Sequence, residues 1–355
     1  MHCFKSTFEA QMALVIVAGL VLAPVRGARG EQPAVVIKFS HVAAPDTPKG
    51  KGAAYFSKLV QERTGGRVRV DVYPNSQLYK DKEELEALQL GSVQMLAPSA
   101  SKFGPIGLKA LEAFDLPYLF DGYEAVHRVT HGPIGASMLE HLKPYGMTGL
   151  AFWDNGFKEF TADKPLRSPE DFKGLKMRVK SSKVLEAQMR AIGAIPQMLA
   201  FSEVYQALQT GVVDGAENTP ANIYTQKLYE VQKVMSMTRH GYDVYVVVAN
   251  SRFWEALAPD VRGVLEQAIN EATRYVEAIS ASDERAAIEA IRGSGRIQII
   301  EMTAEQRASL KKAMQPVYRQ MQDRIGRDLV ESIRAAATSD KKQPDAAPAL
   351  PAAVR

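Results

Sequence analysis

His127 and His131, four residues apart on an expected helix, have a spacing that puts two imidazoles on one face and can hold a metal ion. No carboxylate stands between or beside them, the nearest being Glu124, so the pair also fits two partly exposed histidines ahead of Gly132-Pro133. No serine lies in a G-x-S-x-G elbow and no P-loop is present. Gly50-Lys51-Gly52 lacks the third glycine of a dinucleotide turn. Carboxylates are plentiful but scattered, as solvated helix faces require. The pattern proposes no reaction, no metal and no cofactor.

A few cations set among apolar or strand residues stand out instead. Arg178 ends the run Leu175-Lys176-Met177-Arg178-Val179, where strand alternation puts it on the face of Lys176. A charge at the carboxyl end of a strand is either a solvated edge or an anion reader facing a cleft. Lys158 lies between aromatics in Gly156-Phe157-Lys158-Glu159-Phe160, and Lys49 follows Pro48 at an expected helix start. Both also fit ordinary surface lysines.

The elements that must position these groups alternate. Val35 to Ser40 reads as a strand, Gly52 to Thr64 as an amphipathic helix, and Arg67 to Tyr73 as a strand with one wet face. Asp81 is placed to cap a following helix, with Glu84 three residues on and Gly91 closing it. Val93 to Ala97 completes a βαβαβ order, which implies a sheet covered by helices. After Trp153 a second series begins. Ser168-Pro169-Glu170-Asp171 starts a short helix, Leu175 to Val179 is a strand, and Ser182 to Ile192 and Phe201 to Thr210 are helices. Val212-Val213 opens another strand, and Asp243 to Ala249 is the most strand-like run of all. Pro259 to about Arg292 forms one helix, about 50 Å long and too long for one small domain.

The two series echo each other. Ala87 to Val93 (ALQLGSV) matches Ala207 to Val213 (ALQTGVV) at five of seven positions, and Ser99 and Asn218 follow at nearly equivalent places. Ligands of open α/β sheets bind beyond the carboxyl ends of strands, so two facing sheets would point Ser99 and Asn218 into one cleft. A helix ending at glycine before a strand is also a common arrangement that chance can repeat.

The ends and composition limit the setting. Lys5, the apolar run Ala13 to Ala23, and Ala28-x-Gly30 follow the layout of a secretory signal peptide over residues 1–30, cleaved before Glu31. That run is too short to span a bilayer, and no other stretch of about 18 apolar residues occurs, so the exported chain is expected not to be membrane-embedded. The only cysteine, Cys3, leaves with the signal, removing disulfides, thiol nucleophiles and cysteine zinc sites from the mature chain. A formal charge of +4 without a basic block or interleaved aromatics argues against nucleic acid. Residues 338–355 have a composition unable to bury enough apolar surface to order a tail.

Phe172-Lys173-Gly174-Leu175-Lys176-Met177-Arg178-Val179, together with Phe201 to Asn218 (FSEVYQALQTGVVDGAEN), resembles the DctP-type substrate-binding proteins of TRAP transporters, over about Val36 to Arg334. The resemblance implies an α/β, two-domain periplasmic binding protein fold, with a ligand cleft between the domains and a long helix spanning both. The domains would be residues 31–155 with 244–283, and 156–243 with 284–337. It further implies that Arg178 pairs a substrate carboxylate, that Asn218 hydrogen-bonds it, and that Phe201 packs on the ligand. Trp153-Asp154-Asn155-Gly156-Phe157-Lys158, Ser181 to Gln188 and Thr47-Pro48-Lys49-Gly50 are similar to members that take four-carbon dicarboxylates. Ser99, Lys49, Lys158, Trp153 and His41 complete the candidate ligand-binding set. The sequence departs from the commoner family pattern at Lys158, often Arg, at Gly215-Ala216-Glu217-Asn218, and at Lys180, often uncharged. The expected partners are a small organic acid and TRAP membrane permease subunits, and the expected location is the periplasm. Capture of another carboxylate (a hydroxy or keto monocarboxylate, an aromatic acid or a sugar acid) stays open. So does a periplasmic lyase acting on small acids, for which Glu217 is the only candidate base near Arg178.

Overall fold

The structure, a computed structural model, describes residues 35–339. The expected signal peptide lies outside the described residues, as does the expected tail except for Thr338 and Ser339. Along the chain run β1 (Val35–Ser40), α1 (Pro48–Arg63), β2 (Val68–Tyr73), α2 (Glu84–Gln89) and β3 (Met95–Leu96). Then come α3 (Tyr123–Thr130), α4 (Pro133–Glu140), β4 (Met147–Ala162), β5 (Lys176–Val179), α5 (Lys183–Ala191) and β6 (Ile195–Met198). α6 (Val204–Gln209), β7 (Gly215–Asn218), α7 (Pro220–Thr225), β8 (Val234–Asn250) and α8 (Ser251–Ala256) follow. The chain closes with α9 (Pro259–Gly293), β9 (Gln298–Glu301), α10 (Ala304–Ile325) and α11 (Arg327–Thr338).

The strands form one sheet in the order β2-β1-β3-β8-β4-β7-β5-β6, with β9 beside β8. β1 pairs parallel with β2 and β3, and β5 pairs parallel with β6 and β7, as the two βα series require. The long antiparallel strands β4 and β8 join the two halves. β3 pairs with the end of β8 at Ala249, and β7 pairs with the end of β4 at Glu159 to Ala162. The β4–β8 register shifts between Asp154 and Gly156, where the halves meet.

β4 was not expected as a strand. Its Gly149 and its Asp154-Asn155-Gly156 triplet have the composition of a turn. The structure absorbs them as irregularities within a buried strand, with Gly156 at φ +127°, a conformation that favours glycine. Val212-Val213 does not open a strand; β7 begins at Gly215. The expected strand at Val93 to Ala97 shortens to Met95–Leu96. Asp81 does not cap α2, whose N-cap position is Glu83 with no side-chain cap bond. Gly91 and Gly211 both close their helices in the left-handed region, as the echo between the halves demands.

α9 spans 35 residues, about 50 Å, and feeds two cores. Leu265, Ile269, Ala272 and Val276 pack with Ile37, Phe39 and Phe56 under the first half of the sheet. Ile291 packs with Phe201, Val204, Leu208 and Met235 under the second. Ion-paired Lys51–Asp283 and the hydrogen bond from Tyr55 to Glu271, each 2.7 Å, tie α1 to this helix. α1 starts at Pro48, four residues before the expected Gly52. Thr47 caps it by accepting from the Gly50 N–H at 3.2 Å, and proline at the first position costs no hydrogen bond.

Gly52 marks a close approach of α1 to α9. A Cβ there would lie 2.4 Å from Val276 Cγ2 and 3.3 Å from the Trp153 ring. Gly52→Ala is therefore expected to overpack this contact and destabilise the fold by about 1–3 kcal/mol. Urea denaturation checks it, and an unchanged midpoint would mean the two helices separate at no cost.

Candidate functional site

Arg178, Lys49 and Lys158 are all buried, at no more than 1% exposure, which rules out solvated edges and ordinary surface lysines. They come from different elements: Arg178 near the end of β5, Lys49 in the first turn of α1, and Lys158 mid-β4. Lys176, two residues before Arg178, is exposed, whereas Met177, Arg178 and Val179 are buried.

The guanidinium of Arg178 donates from Nε and Nη2 to the Leu199 carbonyl at 3.2 and 2.9 Å. Phe201 packs beside it, its ring centroid 6.0 Å from the guanidinium carbon. Lys49 donates to the Ala97 carbonyl at 3.0 Å and sits 3.6 Å over the Tyr245 ring. Burial pushes its ammonium down to about 8, against the pull of Glu84, Asp243 and Asp81. Among the described residues neither Arg178 nor Lys49 has a carboxylate at ion-pairing distance. A buried cation without a counter-ion is costly, because desolvation is not repaid.

Lys158 differs, for its ammonium lies 2.8 Å from Glu217 Oε2, contributed by β7. Burial pushes the Glu217 carboxyl up, but Lys158 and the neighbouring His240 outweigh it and hold the group far below the ordinary range. His240 stacks on Phe160 with centroids 3.7 Å apart, and burial pushes it down to about 4, leaving it neutral. Gly241, opposite Lys158 in β8, leaves room for the lysine stem: a Cβ there would meet Lys158 Cε at 2.8 Å.

Ser99 and Asn218 do meet in one polar network. The Ser99 hydroxyl lies 2.6 Å from Asp243 Oδ1 and accepts from Lys180 Nζ at 3.2 Å. Lys180 is 2.5 Å from Asp243, whose other oxygen accepts from Asn155 Nδ2 at 2.8 Å. Asn155 Oδ1 in turn accepts from Thr219, whose N–H donates to Asn218 Oδ1 at 2.9 Å. His41, directly after β1, is fully buried, and burial together with the nearby Lys49 charge pushes it down to about 3. Trp153 stands apart from this network. It is a core residue against Phe39, and its indole N–H donates to Thr273 Oγ1 at 2.9 Å.

Sequence reasoning missed Asp81, Lys102 and Asp243, and met Lys180 only as a departure. Lys102 and Asp81 form a buried ion pair, and Asp81 Oδ1 accepts the Phe201 N–H at 3.2 Å. The available signal was position: Lys180 directly follows β5, and Lys102 lies six residues beyond the end of β3, both past the carboxyl ends of parallel strands. The two histidines on α3 do not converge on a metal. His127 bonds Asp154 at 2.7 Å and His131 bonds Glu277 at 2.6 Å, so each imidazole has its own carboxylate. Among the described residues no group of three or more metal-ligating side chains forms. A surface cavity of about 570 Å³, lined in part by Leu139, Trp254 and Ile269, contains none of the cluster's charges.

Fold and site together define an α/β binding protein: two half-sheets joined by long strands and one long helix, with a cluster of buried charged side chains that leaves Arg178 and Lys49 without an ion-pair partner. The chain belongs to the bacterial extracellular solute-binding proteins of family 7, the DctP family, whose model matches residues 39–324. It is 57% identical over 302 residues to the C4-dicarboxylate-binding periplasmic protein DctP of Rhodobacter capsulatus, covering 85% of this chain and 91% of that one. A TRAP periplasmic solute-binding protein of Shewanella oneidensis, solved with bound succinate, superposes with a TM-score of 0.84 at 43% identity, over 86% of this chain and 99% of that one. A Pseudomonas aeruginosa TRAP binding protein solved with L-malate gives 0.79 at 41%, over 81% and 99%. The family is one of solute-binding proteins and not of enzymes, which removes the lyase alternative. Among the described residues no helix is long and apolar enough to cross a membrane.

Proposed function

We propose that this chain is the periplasmic solute-binding component of a TRAP transporter, capturing a C4-dicarboxylate such as succinate, malate or fumarate and delivering it to membrane permease subunits. The observation that carries the reading is the pair of buried cations, Arg178 and Lys49, left without a carboxylate. They reach the cleft from opposite halves of the sheet, as the two ends of a short dianion require. Arg178 presents paired donors in a plane, matching one carboxylate bidentately, with Asn218 and Phe201 beside it. Lys49 is a point charge that suits the second carboxylate, flanked by His41 and Ser99. Lys158 acts through Glu217 rather than as a free cation. The halves hinge where β4 and β8 change register, so residues 31–155 with 244–283 close on 156–243 with 284–337.

A thermal-shift screen of the mature protein against organic acids tests the reading. Succinate, malate or fumarate at about a hundredfold over Kd should stabilise the fold by about 2.7 kcal/mol and raise Tm by several degrees. A shift with monocarboxylates or neutral sugars alone would sink it. Ligand should also reduce the radius of gyration in solution scattering, because hinge closure draws two rigid bodies together.

A further inference from the structure

Five buried side chains carry positive charge around the cleft: Lys49, Lys102, Lys158, Arg178 and Lys180. Three of them have a buried carboxylate each, Asp81 on Lys102, Glu217 on Lys158 and Asp243 on Lys180. Five less three leaves Arg178 and Lys49. Two further buried acids, Glu84 and Asp115, lie within ion-pairing distance of none of the five: both Glu84 oxygens are without a hydrogen-bond partner, Asp115 accepts from Ser101, and burial pushes both carboxyls up.

The three pairs are not alike. Glu217 and Lys158 sit on the paired strands β7 and β4, inside the framework. Asp243 is held by Ser99 and Asn155 as well as by Lys180. Asp81 has a smaller setting. It lies on the loop before α2, takes Lys102 on one oxygen, and accepts the Phe201 N–H from the opposite half of the sheet on the other. Of the acids acting on Arg178, Asp81 exerts the strongest pull. It therefore stands between the reader of the ligand's carboxylate and a third cation.

We propose, resting on the dicarboxylate reading above, that Asp81 is a specificity-determining residue: by neutralising Lys102 it leaves the cleft two uncompensated cations and so selects an acid of charge minus two. Removing the Asp81 charge frees Lys102 and favours the more highly charged ligand. Removing the Lys102 charge leaves Asp81 opposing any anion, and the more highly charged ligand suffers more. Removing both restores the original balance. A structural role for this pair has no such pattern, because it would weaken every acid by the same factor.

Isothermal titration with succinate and with succinamate, its monoamide of the same shape, reads the difference as the ratio of their Kd values. Asp81→Asn, which keeps the oxygen that accepts the Phe201 N–H, should raise the preference for succinate about tenfold. Lys102→Met should lower it by a similar factor, and the double variant should return to within about threefold of wild type. Ratios unmoved in both single variants, or moved the same way in both, overturn the proposal. If Asp81→Asn fails to fold, Lys102→Met against the double variant still decides the sign. The wild-type arm separates the two readings: binding of neither compound refutes the dicarboxylate assignment itself. The charge balance is then tested with the acid that does bind and its amide.

Discussion

Arg178→Ala is expected to weaken binding of the preferred acid roughly thirty- to several-thousand-fold. The guanidinium is 1% exposed, and its only hydrogen-bond acceptor among the described residues is the neutral carbonyl of Leu199. On the proposed function its second edge takes the ligand carboxylate. Once the cleft closes, an acid without that partner is a buried anion short of two charge-assisted hydrogen bonds. Truncating one member of such a pair costs about 2–5 kcal/mol, much of it from the charge left unpaired. Arg178→Lys keeps the charge but loses the planar fork, so its affinity should fall between wild type and the alanine variant. Both variants should remain folded, because Arg178 has no ion-pair partner to strand. Isothermal titration measures the two affinities, and circular dichroism confirms the folds. Wild-type affinity in Arg178→Ala would falsify the site assignment.

The contrast between Arg178 and Trp153 shows what the sequence makes legible. Arg178 lies near the carboxyl end of a parallel strand, where the topology of an α/β sheet fixes the direction of a cleft before any coordinate is known. Ser99 and Asn218 were placed by the same rule, and the structure joins them through Asp243 and Asn155. Trp153 sits in a stretch whose turn-like composition hid a strand, so nothing in the sequence told which of its faces meets the core. The 35-residue helix was readable end to end because a 3.6-residue apolar period persists along it. Asp81, Lys102 and Asp243 were not readable for a different reason. A charged residue on a loop or mid-strand has no periodic signature that separates a buried pair from a solvated one. Such pairs are fixed by residues remote in sequence: Lys180 meets Asp243, and Asp81 meets the Phe201 backbone across the two halves.

Lys158→Met is expected to destabilise the folded protein by about 3–5 kcal/mol near neutral pH, because it strips Glu217 of its counter-ion in a fully buried place. The sign of the pH dependence follows from the two states of Glu217. In the wild type its folded pKa lies far below the ordinary value near 4.5. Its contribution is therefore present above about pH 4.5 and is lost as pH falls toward the folded value. In the variant the neighbouring cation is gone and burial dominates, so the folded pKa rises above 4.5. The penalty of keeping Glu217 ionised is then absent below about pH 4.5 and grows as pH rises through the new folded value. Both effects act in the same direction. The stability gap between wild type and Lys158→Met should be widest at neutral pH and should narrow steadily on acidification. The double variant Lys158→Met, Glu217→Gln should recover much of the loss, since replacing both members of a buried pair leaves no charge stranded. Urea denaturation of the three proteins across pH 4 to 8 measures the gap. A pH-independent deficit would mean that Lys158 supports the fold through the packing of its stem against Gly241 rather than through its charge.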